Sequence, residues 1–215
     1  MQGWQHNNQE YISDPWFSIW RSPRETIREI LDVDPRRHVQ VLAVVAGFVE
    51  ALEWAAENNL GDRFPLLVIL LICAAAGAAG GLAFLYGGAW LLQRVGAWLG
   101  GKGSFVDVRA AMAWSTVPLI WTLLFWLPAI GVFGIRLFQN QNLDLPEAVM
   151  WIAPLLLVAV AAIIIAVWMV YIFVMCLAEA HRFAVWRALV TVSLGLILFI
   201  IVAMIFAVPM EMITS

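Results

Sequence analysis

Glu50, Glu53 and Glu57 are the residues in this chain whose placement most demands a chemical reason. Their i, i+3, i+7 spacing sets three carboxylates on one face of a helix. The run that holds them, Val39 to Ala56, is otherwise apolar enough to enter a membrane. With a rise of roughly 1.5 Å per residue, Glu50 falls near the middle of that run and Glu57 near its far boundary. A carboxylate at such depth costs on the order of 3 kcal/mol on insertion scales, and intramembrane acids are functional candidates for that reason. No Lys or Arg lies deep in another apolar run to neutralise them. They must be protonated, reach water, or meet a cation. The chemistry available is therefore passage of protons, cations or small solutes. The plainer reading is a water-filled vestibule on the outer side, reached because the first span starts early or tilts.

Other reactive constellations are missing from the sequence. His6, His38 and His181 have no metal-ligand spacing, although His38 and His181 belong on one side of the membrane, where they could share a weak site with Glu179. The GGKG at Gly100 to Gly103 lacks the frame of a phosphate-binding loop, and there is no nucleophile elbow, zinc-protease motif or cysteine cluster. No enzyme, cofactor or metal is expected. Cys73 and Cys176 sit in apolar runs and read as free, buried thiols.

The elements around the acids follow from composition. Of 215 residues, 63% are hydrophobic and 13% charged, with a mean hydropathy of +0.88. Soluble domains are about half apolar and a quarter charged, so much of this surface faces lipid. A net charge of −3 argues against nucleic acid as a partner. The 12 Trp fit membrane boundaries, where an indole is buried and its N–H stays wet. The polar start is too long for a cleavable signal peptide, and Met1 to Asn8 read as disordered.

Five spans are predicted: Val39 to Ala56, Pro65 to Leu92, Val106 to Leu127 with Pro118 inside it, Ala148 to Leu177, and Ala188 to Val208. Each reaches or approaches the roughly 20 residues needed to cross. The expected fold is an all-α membrane protein: residues 1–38 form a cytoplasmic segment with an interfacial amphipathic helix, and 39–215 a five-helix transmembrane domain. In the first part, Ser22, Pro23 and Glu25 form a capping-box pattern. Ile27, Ile30 and Leu31 then share one side, with arginines elsewhere. This pattern predicts a helix lying on the membrane surface; the alternative is a helix packed on the protein itself. Ser104 with Asp107, and Asp144 with Glu147 beside Pro146, read as caps for the third and fourth spans.

Ten Lys and Arg fall in the N-terminal segment and the loops after spans two and four, against Arg63 and Arg136 on the other side. This asymmetry predicts a cytoplasmic N-terminus and an outside C-terminus. Small residues recur every fourth position in span one, at Ala43, Gly47, Ala51 and Ala55. Span two carries Gly77 and Gly81 at the same spacing. Lipid tails are as apolar as Leu, so close approach of backbones has to hold such helices together. Spans one and two are expected to meet through Gly47, Gly77 and Gly81, or to leave one such face for a second copy. Pro118 removes a backbone bond and strands the Trp114 carbonyl, with Ser115 and Thr116 near enough to help.

Four stretches carry a family resemblance: WFSIWRSPRETIREIL at Trp16 to Leu31, RVGAWLGGKGSF at Arg94 to Phe105, RAAMAWSTVP at Arg109 to Pro118, and LAEAHRFAVWRAL at Leu177 to Leu189. With five spans and a cytoplasmic N-terminus, the chain resembles the Ypt-interacting-protein (YIP) family, in its bacterial branch. The resemblance implies the bacterial inner membrane. Eukaryotic members are linked to Rab-type GTPases and vesicle formation, but the short N-terminal region here leaves no large partner-binding domain. The expected function is non-enzymatic: organising membrane, or recruiting a protein partner at a cytoplasmic face of Arg94, Lys102, Arg109, His181, Arg182 and Arg187. The alternative is the transporter or channel using Glu50 and Glu53.

Overall fold

In the computed structural model, residues 14–140 and 145–214 are described, with side chains over 14–140 and, apart from a few further positions, 162–201. The expected tail Met1 to Asn8 with His6, Asp144, and the side chains of Pro146 and Glu147 lie outside the described residues. Every regular element among the described residues is a helix. Two short ones, α1 (Pro15–Arg21) and α2 (Pro23–Val33), precede the long α3 (Val39–Glu57) and α4 (Leu66–Trp98). The next stretch is broken into α5 (Phe105–Ser115), α6 (Val117–Trp121) and α7 (Leu123–Phe133), ending in a 3-10 turn at Gly134–Phe138. Two long helices follow, α8 (Leu145–His181) and α9 (Val185–Thr214).

Among the described residues, four stretches are long and apolar enough to cross a membrane: Val39–Glu57, Leu66–Trp98, Phe105–Phe138 and Ala162–His181. Val185–Ile201 is a shorter apolar stretch within α9.

The first two spans lie backbone to backbone. A Cβ on Gly77 would stand 2.6 Å from the Gly47 carbonyl oxygen, one on Gly47 would strike the Gly77 carbonyl, and one on Gly81 the Ala43 carbonyl. Gly80 and Gly87, on the same helix, have nothing within 4 Å of where a Cβ would be. Only some of the α4 glycines therefore serve close packing. Cys73 and Cys176 are free and buried.

The third span is capped and then twice interrupted. Ser104 Oγ accepts the Asp107 N–H at 3.2 Å, while the Asp107 carboxylate accepts the Ser104 N–H at 3.0 Å. The helix breaks at Thr116, just before Pro118, and again at Thr122. The hydroxyls of Ser115, Thr116 and Thr122 donate to the carbonyls of Met112, Ala113 and Leu119, each at 2.7 Å. In lipid such back-bonding occupies backbone acceptors that a broken helix would leave bare.

Two expectations for the N-terminal segment are corrected. Ser22 makes no side-chain capping bond. It ends α1 and begins α2 at once, so its N–H already donates to the Ser18 carbonyl at 2.8 Å. Glu25 is thereby denied the partner a capping box needs. The apolar side of α2 is also not turned to lipid: Ile27 and Ile30 are buried, as is Ile19 of α1, in the core formed with α5 and α8. Trp16 meets Trp114 edge-on at 6.0 Å, and the Cys176 thiol approaches the Pro23 carbonyl at 3.8 Å. An apolar stripe buries equally well against lipid or protein; here the protein takes it.

Candidate functional site

The residues that converge lie where α8 ends, at the level of the loop joining α4 to α5. Glu179, in the last turn of α8, has a side chain only 12% exposed. It accepts from Arg24 Nε at 2.7 Å and from Arg28 Nε at 2.6 Å, so one carboxylate fastens both cationic turns of α2. The hydrogen bond to Glu179, reinforced by its charge, pushes the Arg28 guanidinium further above its ordinary value. Both arginines are more than a third exposed, so solvent screens each pair and the clasp owes more to geometry than to charge.

His181 is the last residue of α8 and is fully buried. Its ring stacks on Phe183 at 5.0 Å and 8° between planes. Glycines close around it: a Cβ on Gly96 or Gly101 would collide with the imidazole, and one on Gly103 would stand 2.6 Å from the Ala180 carbonyl oxygen. Gly100 takes a left-handed φ of 84°, which turns the loop over the ring. The loop is then tied down by main-chain bonds from the Lys102 N–H to the His181 carbonyl at 3.0 Å and from the Gly101 N–H to the Gly96 carbonyl at 2.8 Å. Neither ring nitrogen has a well-formed hydrogen bond among the described residues. This imidazole is a plug on which the loop closes, and its burial keeps it from meeting a partner directly. The expectation that His181 belongs to an exposed face is thus corrected.

The remaining basic residues do surround this clasp. Arg94, Lys102, Arg182 and Arg187 are exposed. Arg187 lies over the Trp186 ring at 5.4 Å and Arg94 over Trp90 at 5.8 Å, and Trp98 and Trp186 are 76% and 63% exposed. Arg109 differs: it is half-buried, with its guanidinium over the Tyr86 ring at 5.1 Å. His38 stands exposed at the start of α3, in a cleft shared with Arg109, and does not join His181 and Glu179.

The three acids of α3 go to different surroundings. Glu50 is exposed on an apolar groove of about 680 Å³ lined by Ala43, Gly47, Gly81, Leu85 and Met112. Glu53 is half-buried, and Glu57 is exposed. Among the described residues, no group of three or more His, Cys, Asp and Glu could hold a metal ion.

Sequence reasoning missed the two arginines of α2 as partners of Glu179, which lies about 150 residues away. It missed the glycine clasp as well. The available signal was the pairing of Gly96 with Gly100, Gly101 and Gly103, four glycines flanking a helix end and opposite the chain's HR pair.

A family model described as Yip1 domain matches residues 17–207. No curated protein and no solved structure matches the chain.

Proposed function

The chain belongs to the Yip1 domain family and is a polytopic membrane protein, and from that premise we propose that it acts without catalysis, organising membrane or recruiting partners at a fixed cytoplasmic face. The observation that supports this most is the fastening of α2, the α4–α5 loop and the end of α8 into one unit by Glu179 and His181. A face built this way presents Lys102, Arg182 and Arg187 in set positions, beside exposed Trp98 and Trp186. Such tryptophans suit the headgroup level of a bilayer.

In this reading α9 completes a set of five spans in a bacterial inner membrane, with the N-terminus cytoplasmic and the C-terminus outside. The helix ends support it: the Lys- and Arg-rich loops gather at one end, while the Gly61 and Asp62 turn meets Gln139 and Asn140 at the other. A cysteine introduced at Asn140 will react with an impermeant reagent added outside, and one at Lys102 will not. The reversed pattern overturns the orientation.

A second reading, solute passage, has Glu50 on its groove in its favour. Reconstitution into liposomes separates the two. The organising reading expects altered vesicle diameters with no flux of protons or monovalent cations. A flux abolished by Glu50→Gln would favour transport.

A further inference from the structure

A second basic cluster stands apart from the clasp, where α3 and α5 begin. Arg36, His38 and Arg109 line one cleft of about 520 Å³, with Val39, Gln40, Val41 and Val106 completing the wall. Among the described residues none of the three basic side chains has a carboxylate within ion-pair range. The two acids nearest in sequence are engaged with backbone donors: Asp34 accepts the N–H of Arg36 at 2.9 Å, and Asp107 accepts the N–H of Ser104 at 3.0 Å. Arg109 is held in place: its guanidinium lies 5.1 Å from the centre of the Tyr86 ring and 5.7 Å from that of Phe105. The Tyr86 hydroxyl in turn accepts from Gln40 at 3.0 Å, which joins the Arg109 platform to α3. Arg109 Nε is buried with no hydrogen-bond partner. A buried donor without a partner is costly and calls for an explanation, and like charges gathered without a counter-charge repel.

We propose that this cleft binds a phosphate group, and that its source is the headgroup of an anionic phospholipid. Arginine and helix-start geometry both suit phosphate oxygens, which accept several charge-assisted hydrogen bonds at once. The lipid is favoured over a soluble phosphate by position. The cleft lies at the first residues of two spans, Val39 and Phe105, and so at the membrane boundary. Val41, 61% exposed, sits on its wall and offers apolar surface for the start of an acyl chain.

The test uses the full chain in an uncharged detergent, with thermal stabilisation and affinity read against three probes: short-chain phosphatidylglycerol, short-chain phosphatidylcholine and inorganic phosphate. The varied residues are Arg36 and His38, both exposed, as Arg36→Gln with His38→Asn; asparagine tolerates the left-handed φ of 58° at that position. Arg109 is kept, because its removal would empty the space between two rings. Wild type is stabilised by phosphatidylglycerol and not by phosphatidylcholine, and the double variant binds phosphatidylglycerol at least about tenfold more weakly. Arg63→Gln, at the far end of the helices, binds as wild type. An equal response to inorganic phosphate, lost in the same double variant, keeps the phosphate site and assigns it a soluble source. Unchanged binding in the double variant, equal stabilisation by phosphatidylcholine, an equal loss in Arg63→Gln, or no response to any probe overturns the proposal.

Discussion

Replacing Gly77 with Leu lowers the melting temperature of the purified protein in detergent by roughly 10 °C and disperses its elution profile. The new side chain has no room, because even its Cβ would stand 2.6 Å from the Gly47 carbonyl oxygen and 2.7 Å from the Phe48 Cα. These are backbone atoms, which cannot swing aside as a flexible side chain would. Overpacking costs about 1–3 kcal/mol where side chains can adjust. At a backbone contact the cost lies at the top of that range or above, and about 3 kcal/mol in a chain of this size gives a shift of that order. Gly80→Leu is the control. It changes the same residue type on the same helix, but nothing lies within 4 Å of its Cβ, so its melting temperature stays within about 2 °C of wild type. Equal behaviour of the two variants would show that α3 and α4 are not held by backbone approach.

The second large effect belongs to the clasp. Gly96→Ala drives a methyl group into the His181 ring, which is packed on its other side against Phe183. A loss of about 1–3 kcal/mol is expected, read as a fall in melting temperature. In a His181→Ala background the ring is gone, and the same Gly96→Ala change becomes nearly neutral. A double-mutant cycle over the four proteins should therefore return a coupling of at least about 1 kcal/mol, as residues in contact do. Additive losses would mean that Gly96 and His181 do not touch.

Much of the span architecture was legible because a membrane leaves few options. Long apolar runs must be helical, so Val39, Leu66 and Phe105 begin helices close to where the sequence places them. The Ser104–Asp107 cap was readable as well, because its chemistry is local and lies within four residues. The break at Thr122 was not readable: it has no proline beside it, only a hydroxyl that bonds back to Leu119. The docking of α2 was hidden for a different reason. Its stripe of Ile27 and Ile30 specifies an apolar neighbour without saying whether that neighbour is lipid or α8. Arg24 and Arg28 lie off that stripe, and nothing near them in the sequence singles out Glu179, which folding brings to them. His181 was misplaced because an HR pair in a short loop reads as surface, and its burial depends on three glycines far back in the chain. Sequence periodicity reports which side of an element is apolar; it does not report what covers that side.

The proposed function rests on the loop between α4 and α5 being closed on the end of α8. The bond that closes it runs from the Lys102 N–H to the His181 carbonyl at 3.0 Å. Lys102 is itself exposed, so only this bond, and not burial of its side chain, would slow its amide. Hydrogen–deuterium exchange of the full chain in detergent, resolved to residues 100–103, reads it directly. The fixed face predicts that the Lys102 amide exchanges slowly, in step with the start of α5. Exchange of that amide at the rate of an unstructured peptide would contradict it.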